Sequence, residues 1–335
     1  MILDVQGLRI EYATRAGSVH AVDGASFAVP EGRIVGLVGE SGCGKTTAVR
    51  AIMGVLAENG HRAGGRLVFK GQEIDEASTR KLRWRDIAYV PQSAMSSLDP
   101  VYTVGAQIVE VLTKRGGASR GAAAKRAAEL FELVGLNERR LGDYPHQFSG
   151  GMRQRAAIAM ALALEPSLLL ADEPVTALDV IVQRQILDTL RSLQQRLKLS
   201  IVMVTHDISV VAYLCDEVVV MYAGQVIESG PVRDVLARPR HPYTMGLRNA
   251  FPDLLADAMA LVPIHGSPPD LASPPPGCRF APRCPFAEAA CRAQYPLPQA
   301  NHHFSACRRD AEADQLRAAA LDPATWQRSL SYVAS

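Results

Sequence analysis

Short apolar runs of strand length recur along the chain and alternate with longer stretches that have the composition of amphipathic helices. The helical stretches are Val180 to Leu197 and Ile208 to Leu214. Strands that are apolar throughout and alternate with helices are typical of a largely parallel sheet covered on both faces. The pattern therefore predicts an α/β fold whose inner strands include Ile34 to Val38, Leu168 to Ala171, Ile201 to Thr205 and Val218 to Tyr222.

The remaining parts of the chain have different textures. Near the N-terminus, alternating apolar positions predict short strands at Leu8 to Tyr12 and Ser26 to Val29. The stretch from Tyr102 to Arg140 is rich in Ala, Glu, Leu, Arg and Lys, which predicts a mostly helical insert before the strands resume.

The C-terminal part is rich in proline. Ten of the 21 prolines fall between Val262 and Ala300, and proline limits helices and strands to short lengths. We expect a separate appendage from about Arg238 onward, with one short helix at Ala311 to Leu321.

Composition and charge narrow the class of protein. Hydrophobic residues make up 48% of the chain and charged residues 21%, as in folded soluble proteins. The net charge of +2 does not by itself indicate a nucleic-acid partner. No apolar run approaches the roughly eighteen residues of a membrane helix, and the first residues lack an export signal. We expect a cytosolic protein with reduced cysteines, unless they bind a metal.

A glycine-rich segment follows the strand Ile34 to Val38 and precedes a helical stretch from Thr46 to Gly54. In a phosphate-binding loop, glycines allow backbone N–H groups to converge on phosphate oxygens at a helix N-terminus. Lys45 is expected to pair with the β and γ phosphates of ATP, and Thr46 to ligate Mg²⁺ through its hydroxyl. The candidate ATP-binding residues here are Gly39, Ser41, Gly42, Cys43, Gly44, Lys45, Thr46 and Thr47.

Two adjacent carboxylates end the strand that begins at Leu168. At a strand end both Asp172 and Glu173 can reach a bound nucleotide. Asp172 is predicted to orient the Mg²⁺ shell, and Glu173 to act as the general base that activates water. Lys45, Glu173 and His206 are the predicted catalytic residues.

The segment Phe148-Ser149-Gly150-Gly151-Met152-Arg153-Gln154-Arg155 resembles the signature of the ATP-binding cassette, or ABC, family. It is again a glycine-rich turn that opens a helix, expected from Met152 to Leu164. The resemblance implies that the segment grips the γ phosphate held by a partner subunit, so that two chains meet head to tail. Met152 departs from the family's commoner glutamine. The implied contacts to the partner's nucleotide come from Ser149, Gly150, Gly151 and Met152.

Four further sites match the family's remaining motifs. The resemblance implies that Gln92 senses Mg²⁺ and touches membrane subunits, that His206 contacts the γ phosphate, and that Tyr12 stacks on adenine. The loop that crosses to the partner corresponds to Ala177, Leu178 and Asp179.

The implied fold is a P-loop NTPase cassette with a RecA-like core sheet, an antiparallel β subdomain and a helical signature subdomain. The cassette is expected over residues 1–238, with the helical subdomain at about 93–160.

Four cysteines cluster in the C-terminal part, with five, six and fifteen residues between them. Soft thiolates so placed indicate a metal site. All-cysteine ligation is typical of iron–sulfur clusters, whereas His302 and His303, close to the last cysteine, leave zinc open; plain reduced thiols are the third reading. The candidate ligands are Cys278, Cys284, Cys291 and Cys307.

The C-terminal part also resembles the extension of dipeptide and oligopeptide importer ATPases, through His241-Pro242-Tyr243-Thr244 and the run from Cys278 to Pro285. Tyr144-Pro145-His146-Gln147 before the signature adds to it. The resemblance implies a [4Fe-4S] cluster in a Pro- and Cys-rich extension over residues 239–335. It also implies a second, related ATPase subunit, two transmembrane permease subunits and an extracytoplasmic substrate-binding protein, with this chain held at the cytoplasmic face of the inner membrane.

Two alternatives stay open at this stage. Within transporters, the cargo could be nickel or another small solute instead of a peptide. Outside transporters, a soluble cassette ATPase could act on nucleic acid or the ribosome, but the near-neutral charge and the absence of a long coiled-coil insert or of paired two-residue cysteine knuckles disfavour it.

Overall fold

The computed structural model describes residues 1–15, 17–92, 97–250, 264–295 and 302–327. The strands are β1 Leu3–Thr14, β2 Gly17–Val29, β3 Ile34–Val38, β4 Gly60–Phe69, β5 Gln72–Glu73, β6 Ile87–Val90, β7 Leu168–Asp172, β8 Ser200–Thr205, β9 Glu217–Tyr222, β10 Gln225–Pro231 and β11 Phe304–Ser305. The α-helices are α1 Lys45–Met53, α2 Glu76–Leu82, α3 Val104–Lys114, α4 Arg120–Leu133, α5 Gly150–Ala161, α6 Val180–Leu197, α7 Ile208–Leu214, α8 Val232–Ala237, α9 Pro242–Asn249, α10 Ala289–Ala293, α11 Ala313–Ala320 and α12 Pro323–Gln327.

The central sheet has the strand order β11-β10-β9-β3-β8-β7-β6, and β3 and β6 to β9 run parallel. Its inner strands are buried on both faces, since neighbouring side chains enter two different hydrophobic clusters. Leu169 and Ala171 of β7 join the cluster that contains most of the helices, while Leu168 and Leu170 join the cluster under the antiparallel sheet. This arrangement explains the unbroken apolar runs and confirms the predicted α/β fold.

A second sheet of order β2-β1-β4-β5 is antiparallel throughout. Its first two strands run from Leu3 to Thr14 and from Gly17 to Val29, so the short strands predicted here were too short. The alternation of apolar residues is visible only where one face of a strand is buried. Hydrogen bonding to β4 continues β1 over half-exposed residues, which carry no such pattern.

The predicted helical insert is confirmed as α3 and α4, which pack on each other and on α5. Side chains of Thr103, Ser119 and Ser149 each cap the N-terminus of one of these helices. Because Ser149 is the cap, α5 begins at Gly150, two residues before the predicted start, and it ends at Ala161. The subdomain boundaries at 93 and 160 stay a prediction.

The C-terminal part packs on the core of the central sheet, and its description as a separate appendage stays a prediction. Tyr243, Phe280 and Trp326 are fully buried in the same cluster as the sheet's inner strands. The short strand β11 pairs with β10 at the sheet edge. Proline content predicted the short elements, but it does not report where their apolar side chains are buried. Residue 238 as a domain boundary stays a prediction.

Across the described residues, none of the helices is both long enough and apolar enough to cross a bilayer.

Candidate nucleotide site and cysteine-lined cavity

The glycine-rich loop connects β3 to α1 and passes too close to neighbouring backbone to carry side chains at two positions. A Cβ on Gly39 would lie 2.1 Å from the carbonyl oxygen of Met221, and a Cβ on Gly44 would lie 2.4 Å from that of Ala21. Gly42 has φ +79, which favours glycine. The loop therefore presents its backbone at the N-terminus of α1, where free N–H groups attract anions.

The ammonium group of Lys45 folds back over this loop. Its Nζ donates to the carbonyl oxygens of Gly39 at 2.8 Å and Glu40 at 2.9 Å, and the side chain is only 5% exposed. Among the residues that the structure describes, no carboxylate lies within ion-pair distance of it. Nζ also lies 3.6 Å from Cys43 Sγ. A buried cation whose partners are carbonyl oxygens and a sulfur, without a carboxylate, is costly in free energy, so an anion such as a polyphosphate is a favourable further partner.

Thr46 and Asp172 bring a hydroxyl and a buried carboxylate together beside the loop. Thr46 Oγ1 donates to Asp172 Oδ1 at 3.0 Å, and the Tyr89 hydroxyl donates to Oδ2 at 3.0 Å. Burial raises the pKa of Asp172, and the two hydrogen bonds offset this only in part. Hard oxygen donors of this kind fit Mg²⁺, whose charge would compensate the buried carboxylate.

Tyr89 is a site residue that the sequence reasoning missed. Burial, together with the charge of Asp172, raises the pKa of Tyr89 to about 12, so its hydroxyl stays protonated and can donate. The sequence signal for this residue was its position in β6, the strand that precedes Gln92. Strand β6 pairs in parallel with β7, and Tyr89 lies opposite Leu170, two residues before Asp172.

The carboxylate of Glu173 gathers residues from three parts of the chain. Gln92 Nε2 donates to Oε2 at 3.0 Å, His206 Nδ1 lies 3.1 Å from Oε1, and Thr176 Oγ1 donates to Oε2 at 2.9 Å. Burial acts to raise the pKa of Glu173, but the hydrogen bonds from His206 and Thr176 outweigh it and hold the pKa below its usual value. Glu173 is therefore ionised at neutral pH.

The sheet topology explains this convergence. Gln92, Glu173 and His206 follow β6, β7 and β8, which are adjacent and parallel. The carboxyl ends of parallel strands meet at one edge of a sheet, where α/β proteins place their ligands. Lys45 and Thr46 follow β3, the neighbour of β8, at the same edge.

The signature segment lies apart from this edge. Ser149 is exposed and its hydroxyl accepts from the Met152 N–H at 3.4 Å, as the cap of α5. Among the described residues, no hydrogen bond joins residues 149–152 to the loop at 39–46. The chain thus assembles one group of predicted residues and leaves the other outside it, with Ser149 exposed, Gly150 and Met152 half-buried and Gly151 buried.

The loop at 177–179 leads into α6, the helix that packs on the signature segment through Val182. Ala177 has φ +64, a strained conformation for a residue with a side chain, and Asp179 caps α6 by accepting the Val182 N–H at 2.9 Å. A Cβ on Gly151 would lie 2.3 Å from Cγ1 of Val182. Gly151 therefore has a packing reason to lack a side chain, in addition to the phosphate contact that the motif implies.

Tyr12 lies on β1 in the antiparallel sheet, half-buried and packed against the core beneath it. Its ring covers Gly60, where an added Cβ would lie 2.5 Å from Cε1. Stacking on adenine stays a prediction for this ring.

The C-terminal cysteines line one small cavity together with His241 and Phe280. The Cys278 N–H donates to the Cys291 carbonyl oxygen at 2.8 Å, which joins two of the cysteine-bearing segments. Burial raises the pKa of Cys278, and that of Cys307 to about 12. The cavity is lined by Cys278, Cys284, Cys291 and Cys307.

The arrangement of this cavity distinguishes between the ligand sets. His303 Nε2 lies 2.7 Å from Glu228 Oε1, and His302 is exposed, so neither histidine lines the cavity. Within the described ranges, no three His, Cys, Asp or Glu side chains are arranged as a preformed metal site. The donor set of four thiols fits a thiolate-bound metal centre. Ligation through His302 or His303 finds no support here, whereas His241 lines the cavity with its Nδ1 accepting from the Tyr243 N–H.

Two family models match this chain. The family "ABC transporter" matches residues 22–176, and the family "Oligopeptide/dipeptide transporter, C-terminal region" matches residues 227–291. A dimeric ATP-binding cassette, MJ0796, bound to ADP and phosphate superposes with a TM-score of 0.61 at 28% identity, over 69% of this chain and 99% of that one.

Two curated relatives extend the match along nearly the whole chain. The dipeptide transport ATP-binding protein DppD of Bacillus subtilis is 44% identical over 301 residues, which cover 88% of this chain and 90% of that protein. The oligopeptide transport ATP-binding protein OppD of Escherichia coli is 45% identical over 303 residues, which cover 89% and 90%. The chain therefore belongs to the ABC transporter family, in the branch formed by the ATP-binding subunits of peptide transporters.

Proposed function

We propose that this chain is the ATP-hydrolysing subunit of an importer for dipeptides or oligopeptides. The observation that carries the proposal is the Glu173 carboxylate, ionised and held between Gln92 and His206 beside Lys45 at one edge of the sheet. A positioned carboxylate next to a phosphate-binding loop is suited to orient and deprotonate a water that attacks the γ phosphate.

Each residue of the edge has a distinct role in this proposal. The loop from Gly39 to Thr47 binds the phosphates, with Lys45 on the β and γ groups, and His206 contacts the γ phosphate. Glu173 takes the proton of the attacking water. Mg²⁺ would be held by Thr46, Asp172 and Gln92, and when bound it supplies positive charge that neutralises the phosphates.

The position of the signature segment outside the sheet edge, with Ser149 exposed, supports a shared active site. Ser149, Gly150, Gly151 and Met152, with the loop at 177–179, would complete the nucleotide site of a second ATPase subunit, so each chain contributes half of two sites. Two permease subunits would receive the closing motion, and a substrate-binding protein outside the membrane would deliver the peptide. The chain would then work at the cytoplasmic face of the membrane, held there by the permease subunits.

The importer proposal is tested with the chain co-purified with its membrane partners and placed in lipid vesicles. Steady-state ATP hydrolysis is measured with the substrate-binding protein empty, loaded with a dipeptide, loaded with a longer peptide, and loaded with nickel. Stimulation by a peptide-loaded protein alone supports the proposal. Stimulation only by the nickel-loaded protein would show that the cargo is nickel and not a peptide. Stimulation of hydrolysis by nucleic acid, without any membrane partner, would contradict the importer function itself.

The four cysteines are proposed to hold a [4Fe-4S] cluster, with zinc as the alternative. All four line one cavity, and His302 and His303 lie outside it; His241, which also lines it, keeps zinc open as the alternative. Such a cluster would join the short segments of the C-terminal part. Anaerobic purification followed by iron, sulfide and zinc analysis decides the matter: broad visible absorption with iron and sulfide supports the cluster, and zinc alone contradicts it.

A further inference from the structure

One residue of the phosphate loop is held by the C-terminal part of the chain. The Glu40 N–H donates to the Tyr243 hydroxyl oxygen at 2.9 Å. The Glu40 carboxylate accepts two N–H groups of Arg283, at 2.8 and 3.0 Å. The same residue's carbonyl oxygen accepts from Lys45. Glu40 thus connects the ammonium that faces the nucleotide with two side chains that lie more than 200 positions further along the chain.

Arg283 is itself fixed in place. Its guanidinium is 6% exposed, donates through Nε to the His265 carbonyl oxygen at 2.9 Å, and donates through Nη1 to the Tyr222 hydroxyl at 3.2 Å. A planar guanidinium that forms a bidentate pair with a carboxylate fixes its direction as well as its distance. Arg283 therefore holds the Glu40 carboxylate at one defined position.

Tyr243 belongs to a rigid aromatic cluster. It is fully buried, and its ring centroid lies 4.7 Å from that of Tyr222 and 5.4 Å from that of Phe280. Tyr222 ends β9, the strand whose Met221 carbonyl oxygen meets Gly39. The cluster thus forms a platform beneath the loop, and the Tyr243 hydroxyl projects from it to the Glu40 backbone.

The charge of Glu40 explains why it needs these contacts. Glu40 is a carboxylate inside a loop that binds a polyanion, and like charges at such short distances repel. Arg283 neutralises the carboxylate and keeps it on the side of the C-terminal part, away from Lys45.

We infer that Arg283 and Tyr243 are positioning residues for nucleotide binding, through which the C-terminal part of the chain sets the affinity of the phosphate loop for ATP. The inference rests on the proposed function only in that this loop binds ATP. Neither residue touches the nucleotide; both act on Glu40.

The test is the dissociation constant of Mg-ATP measured by calorimetry on the full chain. Loss of a bidentate charged pair in Arg283→Ala is expected to weaken binding about tenfold. Adding Glu40→Gln to that variant removes the unpaired carboxylate and should restore affinity to within about threefold of the wild type. Tyr243→Phe deletes one hydroxyl and is expected to weaken binding about threefold.

Arg240→Ala is the matched control, because Arg240 forms an ion pair with Asp310 and does not contact the loop. Its affinity should stay within about twofold of the wild type. Thermal unfolding of every variant separates loss of affinity from loss of fold. If Arg283→Ala does not fold, Tyr243→Phe decides the question, since this substitution preserves shape.

Wild-type affinity in folded Arg283→Ala, or in Tyr243→Phe when that is the deciding variant, would overturn the inference. Failure of Glu40→Gln to restore binding would overturn its electrostatic part. Lys45→Ala separates this outcome from failure of the proposed function. If Lys45→Ala abolishes ATP binding while Arg283→Ala leaves it unchanged, only the inference is lost; if Lys45→Ala binds ATP normally, the loop is not the ATP site and both are lost.

Discussion

The sheet edge and the signature side of this chain are built on different principles. At the sheet edge, side chains with chemical function converge: Lys45, Asp172 and Glu173 lie together and are linked by hydrogen bonds to their neighbours. On the signature side, the contributions are backbone, caps and close packing, as at Ser149 and Gly151. The comparison indicates that one half-site supplies chemistry and the other supplies shape, so substitutions in the two should fail in different ways.

The largest effect is expected at the sheet edge. Glu173→Gln preserves size and the contacts from Gln92 and Thr176 but removes the base, and loss of a general base typically slows a reaction by about 10²–10⁴-fold. Single-turnover ATP hydrolysis by the assembled transporter should fall by that factor while ATP affinity stays within a few-fold. Glu129→Gln, at a surface ion pair with Arg126, is the matched control and should leave the rate unchanged.

Unchanged hydrolysis in Glu173→Gln would remove this residue as the base. The sheet edge would then supply binding alone, and the contrast with the signature side would disappear.

An intermediate effect is expected from packing on the signature side. In Gly151→Ala the new methyl group would meet Val182 Cγ1 at 2.3 Å, a clash that has to be relieved by rotating the Val182 side chain or by moving α5 and α6 apart. Overpacking of this kind typically costs about 1–3 kcal/mol. Urea denaturation should show the loss, and the double variant with Val182→Ala should recover most of it because the opposing side chain is shortened.

If Gly151→Ala lost no stability, the glycine would be needed only for contact with a nucleotide. Hydrolysis by the assembled pair would then fall without any change in unfolding.

The smallest effect is expected at the cap of α6. Asp179→Ala removes the acceptor for the Val182 N–H, and loss of a helix cap costs about 1 kcal/mol. Asp179→Asn keeps the side-chain oxygen and should retain most of the stability. Equal losses in both variants would show that Asp179 acts through its charge and not as a cap.

Much of the sheet edge was predictable because its residues sit at fixed offsets from recognisable strands. Parallel strands deliver their carboxyl ends to one edge, so a motif after each strand is enough to bring Gln92, Glu173 and His206 together. Thr176 escaped prediction because a single polar residue near a strand end carries no distinguishing pattern, and Tyr89 was missed although its strand leads to Gln92. The chemical roles of the residues at the sheet edge stay predictions, which the experiments above test.

The C-terminal part shows the opposite case. Its spacing of cysteines and its prolines predicted short elements and a cysteine cluster, and the four cysteines do line one cavity. The burial of Tyr243 and Phe280 in the central core was not predictable, because it depends on contacts between distant parts of the chain.

From the sequence alone came the α/β class, the strand-and-loop order of the nucleotide motifs and the family. All of these are encoded locally, in periodicity and in glycine spacing. Only the tertiary structure decided that His302 and His303 lie outside the cysteine cavity, that Gly151 packs on Val182, and that Arg283 reaches Glu40. Each of these depends on where side chains from separate segments meet, and a lone arginine or histidine in a sequence does not specify its partner.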